Sequence, residues 1–229
     1  MRFTMSARRD PPPQMRLPLQ ADRPARADDL VVSGVNRTAF DRLQSWPDGI
    51  APVLALCGPA GSGKSHLAAV WAERVGAVAL HGAEAALIDP LELEGRPVLL
   101  DNAQDADDET LFHLFNLARA PGGVLLLVAR SAPALWDCAL PDLRSRLDAT
   151  PVLMIEEPDD AVLAAILRAR FAERSITPTD DLIAWLVRRI DRSARAAADV
   201  VERLSADPRP ATRATAREVL ETRTGDLPL

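Results

Sequence analysis

Tyrosine is absent from this 229-residue chain, and aromatic residues make up only 4% of it. Its core must therefore be aliphatic, and the 48% hydrophobic content, rich in Ala, Leu and Val, can supply one. No apolar run approaches the roughly 20 residues that cross a bilayer, and the Arg- and Pro-bearing N-terminus lacks the apolar centre of a signal peptide. The expectation is a cytoplasmic protein with no membrane partner. Cys57 and Cys138 are the only cysteines and form no CxxC pair, which fits that compartment and reads as two inert thiols. A positive excess is also missing: 27 Lys plus Arg face 33 Asp plus Glu, for a formal net charge of -6. A surface built mainly to neutralise phosphates is excluded, so contact with DNA is expected to be weak or indirect.

Lysine is almost missing as well. Of the 27 basic residues only Lys64 is a lysine, and it falls in a glycine-rich segment where a compact ammonium fits between phosphates and a planar guanidinium does not. Val53 to Cys57 reads as a strand, Gly58-Pro59-Ala60-Gly61-Ser62-Gly63-Lys64-Ser65 as a loop, and His66 to Val75 as a helix. This is the GxxxxGK[ST] phosphate loop in its required context. Its glycines let backbone N–H groups converge on phosphates and the helix start adds a favourable dipole. Lys64 reaches the terminal phosphates, and the Ser65 hydroxyl can ligate Mg²⁺. The ligand expected is a purine nucleoside diphosphate or triphosphate. A second acid should end a buried strand, and Pro97-Val98-Leu99-Leu100-Asp101-Asn102 supplies it, with Asp101 suited to hold Mg²⁺ through water. Asn102 stands where many ATPases of this kind have a Glu that orients the attacking water. Because Asn is no general base, intrinsic hydrolysis should be slow unless Asp105 or another carboxylate substitutes.

Along the chain, residues 1–27 carry five prolines and six arginines without apolar periodicity and read as an extended arm. From Asp28 to Glu157, short apolar runs at 53–57, 77–80, 98–100, 124–128 and 152–155 alternate with amphipathic stretches. The pattern predicts an α/β domain with a five-stranded, mainly parallel sheet and helices on both faces. After Pro158, four stretches of helical spacing (159–174, 179–190, 193–206 and 212–222) predict a small all-helical lid subdomain over 158–229.

With these motifs placed, residues 14–205 resemble the AAA+ ATPases, and within them the DnaA/Hda family of bacterial replication proteins. The segment Asp28 to Arg37 is similar to the family's stretch that lines the adenine side of the nucleotide, which implies contacts from Leu30, Val32 and Asn36. The phosphate loop through His66 and the Leu100-Asp101-Asn102 strand end match next. Leu140 to Leu147 is similar to the segment whose last Arg is the arginine finger. The resemblance thus implies that Arg146 reaches a nucleotide held by a neighbouring subunit, with Arg144 its competitor. Asp191-Arg192-Ser193-Ala194-Arg195 looks like the sensor 2 segment, which would bring Arg195 to the chain's own phosphates, with Arg192 the alternative. Sensor 1 departs from the pattern, since Arg130 follows the 124–128 strand where the family has a polar residue. Gln14, Met15, Leu17, Pro18 and Leu19 resemble the peptide by which such proteins dock on the DNA polymerase sliding clamp, a Leu-Pro-Leu wedge suited to a small apolar groove.

Only about 24 residues follow Ser205, so no helix-turn-helix domain of the initiator type is expected here. The resemblance implies a regulator that holds ADP or ATP with Mg²⁺, docks on the clamp and presents Arg146 to the ATP of the initiator DnaA. Whether it is monomer or homodimer stays open. The alternative is a self-sufficient AAA+ ATPase or helicase loader acting on DNA. A small P-loop kinase would explain neither the 140–147 segment nor the arm.

Overall fold

A computed structural model describes residues 32–221. The chain begins with α1 (Arg37–Ser45) and then builds β1 (Val53–Cys57), α2 (Lys64–Val75), β2 (Val78–His81) and β3 (Pro97–Asp101). It continues through α3 (Asp108–Ala118), β4 (Val124–Ala129), α4 (Pro141–Asp148) and β5 (Val152–Met154). Every strand pair is parallel, in the order β2-β3-β4-β1-β5. The α/β expectation holds, and the sheet is wholly rather than mainly parallel.

β1 and β4 lie at the centre, where both strand faces are covered, and this is why each reads as an unbroken apolar run. Alternate residues divide between two cores. Ala55, Leu100, Leu125 and Leu127 pack against Leu111, Phe115, Leu143 and Leu147 of α3 and α4. Leu54, Leu56, Leu126 and Val128 pack on the other face against Leu43, Leu67 and Trp71 of α1 and α2. Strand boundaries shift by single residues from the sequence reading: β2 lies one residue later at both ends, β3 gains Pro97 and Asp101, β4 gains Ala129, and β5 stops at Met154.

The rest of the described chain is helical: α5 (Asp160–Glu173), α6 (Asp180–Val187), α7 (Ala194–Ala206) and α8 (Arg213–Glu221). Asp159, Thr179 and Ser193 start the first three by accepting hydrogen bonds from the amides of Val162, Leu182 and Ala196. A third core, which includes Leu163, Leu167, Phe171, Leu182, Leu186, Val201 and Leu204, holds these helices to one another. α6 is shorter than its sequence pattern, ending at Val187, and Arg189 and Ile190 close it with turn hydrogen bonds to the Leu186 carbonyl.

Candidate nucleotide-binding site

β1 delivers the chain to the C-terminal edge of the sheet, and residues 58–63 turn it into α2. Gly63, the residue before α2, is left-handed at φ 92°. A Cβ there would meet no protein atom within 4 Å, so the loop is open on that side. No side chain caps α2, which leaves its first amides available to an anion.

Lys64 is buried at 8% exposure, and its Nζ donates to the Pro59 carbonyl at 2.6 Å and to Ser62 Oγ at 3.4 Å. The ammonium therefore sits inside the loop that a phosphate would fill. Burial pulls its pKa below the usual lysine value; the negative charge of Asp101 opposes that shift and the positive charge of Arg130 adds to it. Pro59 and Ala60 are exposed, as is Ser65 in the first turn of α2. His66 follows, with a buried Nε2 that has no hydrogen-bond partner.

Asp101 ends β3, and its Oδ1 accepts from the Asn102 amide at 2.9 Å. Asn102 itself is left-handed (φ 49°), and its Nδ2 lies 2.8 Å from Nε2 of His81, which stands opposite Asp101 in the β2–β3 register. An amide nitrogen can only donate, so His81 accepts through Nε2. A carboxylate and a hydroxyl, Asp101 and Ser65, are the oxygen donors that Mg²⁺ takes beside nucleotide phosphates. Among the described residues no three His, Cys, Asp or Glu side chains gather to hold a metal alone. The donor set fits a cation whose remaining ligands come from phosphates and water.

The helical part touches the loop directly. The Ala194 amide, at the start of α7, donates to the Gly61 carbonyl at 3.2 Å. Gly61 is left-handed (φ 77°), and a Cβ on it would stand 2.4 Å from the Cβ of Ser193. Arg195 follows within the first turn of α7, exposed and with no hydrogen bond or ion pair to a described residue. Arg192, its alternative, is committed to the Pro158 carbonyl at 3.2 Å and to Asp160 at 2.6 Å. On the N-terminal side, Val32 is half-buried and Asn36 is buried at the start of α1, its Oδ1 accepting from the Ser33 amide at 2.9 Å. The Val35 carbonyl accepts from the Glu156 amide at 3.5 Å, tying this segment to the connection that leaves β5. Leu30 and the 14–19 peptide lie outside the described residues.

Arg146 stands apart from the loop, on α4, and its guanidinium is occupied. It donates to Asp142 at 2.6 Å and to Asn116 Oδ1 at 2.7 Å, lies 4.6 Å over the Phe112 ring, and has a side chain only 14% exposed. Arg144 is held by Asp148 and by the carbonyls of Ala134 and Trp136. Sequence reasoning did not find His81, Asn116 or Phe112, and it met Ser193 only as part of the 191–195 segment. Of these contacts only the Asp142–Arg146 pair was legible, from its i,i+4 spacing. Cys57 is buried, and burial pushes its thiol up to about 11, as expected of an inert cysteine. Among the described residues no helix is long and apolar enough to cross a membrane.

No family model matches the chain. The chromosomal replication initiator protein DnaA of Sphingopyxis alaskensis is 29% identical over 198 residues, covering 75% of this chain and 42% of that protein. The chain thus spans less than half the length of that relative. Among solved structures, domain III of the Thermotoga maritima replication initiation protein DnaA superposes with a TM-score of 0.70 at 16% identity, over 85% of this chain and 95% of that one. The chain has the fold of this DnaA domain. A replication initiator DnaA bound to AMPPCP and single-stranded DNA gives a TM-score of 0.69 at 16% identity, over 87% and 69% of the two chains. The Thermotoga maritima RuvB Holliday junction branch migration motor gives 0.64 at 16% identity, over 87% and 72%.

Proposed function

We propose that this chain is a DnaA-like regulator of replication initiation that binds ADP or ATP with Mg²⁺ and acts mainly on the hydrolysis carried out by a partner. The observation that carries the reading is a complete phosphate loop, linked to the lid by Gly61 and Ala194, beside an acid that is followed by Asn102 and not by a glutamate. Nucleotide binding is supported by the open face at Gly63, the buried Lys64 and the exposed Ser65. Slow turnover in cis follows from Asn102, whose amide hydrogen bonds with His81 and cannot take a proton from water. The division into an arm (1–27), a nucleotide-binding domain (28–157) and a lid (158–229) belongs to this reading.

In the same proposal Gln14 to Leu19 dock on the sliding clamp, and Arg146 leaves Asp142 and Asn116 to meet the ATP of DnaA, producing an ADP-bound initiator. Arg195 senses the chain's own phosphates. The test is DnaA ATP turnover measured with clamp-loaded DNA and this protein, alongside its own turnover. Stimulation of DnaA with negligible intrinsic turnover is expected. Arg146→Ala should abolish stimulation while keeping clamp retention, and Gln14→Ala with Leu17→Ala should abolish both. Full stimulation by Arg146→Ala would refute the finger. Robust turnover by the isolated protein would replace this reading with a self-sufficient motor or loader.

A further inference from the structure

The chain crosses from the sheet to the helical part beside the phosphate loop. Ile155, the residue after β5, is buried in the core beneath α1 and α2, and its amide donates to the Cys57 carbonyl at 2.8 Å. A Cβ on Gly58 would lie 2.2 Å from the Ile155 carbonyl oxygen, so the start of the loop and the start of the crossing are in contact. Pro158 is buried, and Asp159 then caps α5. The connection between α6 and α7 returns to the same crossing. There Arg192 donates to the Pro158 carbonyl at 3.2 Å and to Asp160 at 2.6 Å, partners 34 and 32 residues away in sequence.

The two residues after Arg192 are the ones that meet the loop. Ser193 is extended (φ -146°, ψ 149°) and its Oγ accepts from the Ala196 amide at 3.0 Å, while the Ala194 amide donates to the Gly61 carbonyl at 3.2 Å. Apolar packing places α5, α6 and α7 against one another, but Asp191, Arg192 and Ser193 contribute no side chain to that core. What fixes this connection is polar. The Ser193 amide donates to the Asp191 carbonyl at 2.7 Å, and the Arg192 guanidinium joins the connection to the crossing. A planar fork suits this task, because it holds a carboxylate and a carbonyl at once in fixed directions.

We propose that Arg192 is a positioning residue: held by Pro158 and Asp160, it keeps Ser193 and Ala194 against Gly61 and thereby slows the escape of nucleotide from the phosphate loop. It does so without touching phosphate, since both of its Nη atoms are engaged at the crossing. The inference rests on nucleotide binding as proposed above. Its consequence is that the rate of nucleotide exchange is set in part by an exposed ion pair that lies outside the phosphate loop.

Stopped-flow release of a fluorescent N-methylanthraniloyl ADP from the full chain, chased with unlabelled ADP, tests it. Arg192→Ala should release the nucleotide about 5-fold to 10-fold faster than wild type, the effect expected when one net hydrogen bond between α7 and the loop is lost. Asp160→Ala should act in the same direction by less, and Arg192→Lys, which keeps the charge without the fork, should fall between Arg192→Ala and wild type. In a Gly61→Ala background, where the loop contact is already lost, Arg192→Ala should add nothing. These variants of an exposed pair should melt close to their parents. Arg168→Ala, which removes another ion pair of the helical part, to Asp180 at 3.0 Å, should release at the wild-type rate. A wild-type rate in Arg192→Ala, its full effect in the Gly61→Ala background, or equal acceleration by Arg168→Ala overturns this inference alone. Slower release by Asp160→Ala also overturns it, because the freed guanidinium would then be reaching phosphate. Failure of the wild type to bind ADP removes the nucleotide reading and this inference with it.

Discussion

Replacing Gly61 by alanine should detach the start of α7 from the phosphate loop. The residue is left-handed at φ 77°, which costs an L side chain about 1–2 kcal/mol. Its new Cβ would lie 2.4 Å from that of Ser193, well inside contact distance, and overpacking of this kind costs about 1–3 kcal/mol where the neighbour cannot move. Here it can move. If α7 retreats, the clash is exchanged for the hydrogen bond from Ala194 to Gly61, worth about 1 kcal/mol. The net cost of Gly61→Ala is thus about 2–3 kcal/mol, or a fall of about 1 M or more in the urea midpoint for a slope of about 2 kcal/mol/M. The measurement is urea unfolding followed by circular dichroism, paired with calorimetric nucleotide affinity, which should drop with it. Ser193→Gly provides the control, because it removes the opposing Cβ while the loss of the Ser cap on α7 costs only a few tenths of a kcal/mol. In the double variant about 1 kcal/mol should return, leaving the left-handed strain. A Gly61→Ala midpoint equal to wild type, or a double variant less stable than Gly61→Ala, would refute the reasoning.

Two further outcomes follow from side-chain environments. Asp142→Ala with Asn116→Ala removes both polar partners of Arg146. The exposed pair contributes about 0.5 kcal/mol and the bond to Asn116 about 1–2, so the released guanidinium should become roughly 30-fold more populated. Stimulation of DnaA turnover at limiting protein should rise; an unchanged or lower rate would show that Arg146 is structural where it lies. For the cysteines, burial and a thiol at about 11 should keep Cys57 from reacting with a thiol reagent at about pH 8 until the chain unfolds. Rapid labelling of Cys57 in the folded protein would contradict its described environment.

The fold was legible where burial is two-sided or caps are local. β1 and β4 are covered on both faces and appear as continuous apolar runs, and the helices after Pro158 are announced by Asp159, Thr179 and Ser193. Boundaries drifted where the pattern outlasts the element, as at α6, whose apolar Ile190 belongs to the closing turn and still packs on the helical core. The short 3-10 turns at Gly82–Leu87 and Pro90–Leu93 gave no periodic signal at all. In the site, the phosphate loop was readable because its chemistry is contiguous. What holds Arg146 was not, since Asn116 lies 30 residues away and reaches it only through the packing of α3 on α4. The same holds for Gly61, whose requirement for glycine comes from Ser193 in another part of the chain.

The absence of tyrosine leaves near-ultraviolet emission to four tryptophans, and the fold distributes them to useful places. Trp46 and Trp71 stack at 5.1 Å behind the helix that starts at the phosphate loop, with the Trp71 indole donating to the Trp46 carbonyl. Trp136 donates to the turn that carries Arg130, and Trp185 lies in the helical core with the Arg189 guanidinium 4.3 Å over its ring. Variants that keep one indole location at a time would let a single nucleotide titration be watched optically from behind the loop, from beneath the turn after β4 and from within the helical core, without any attached dye.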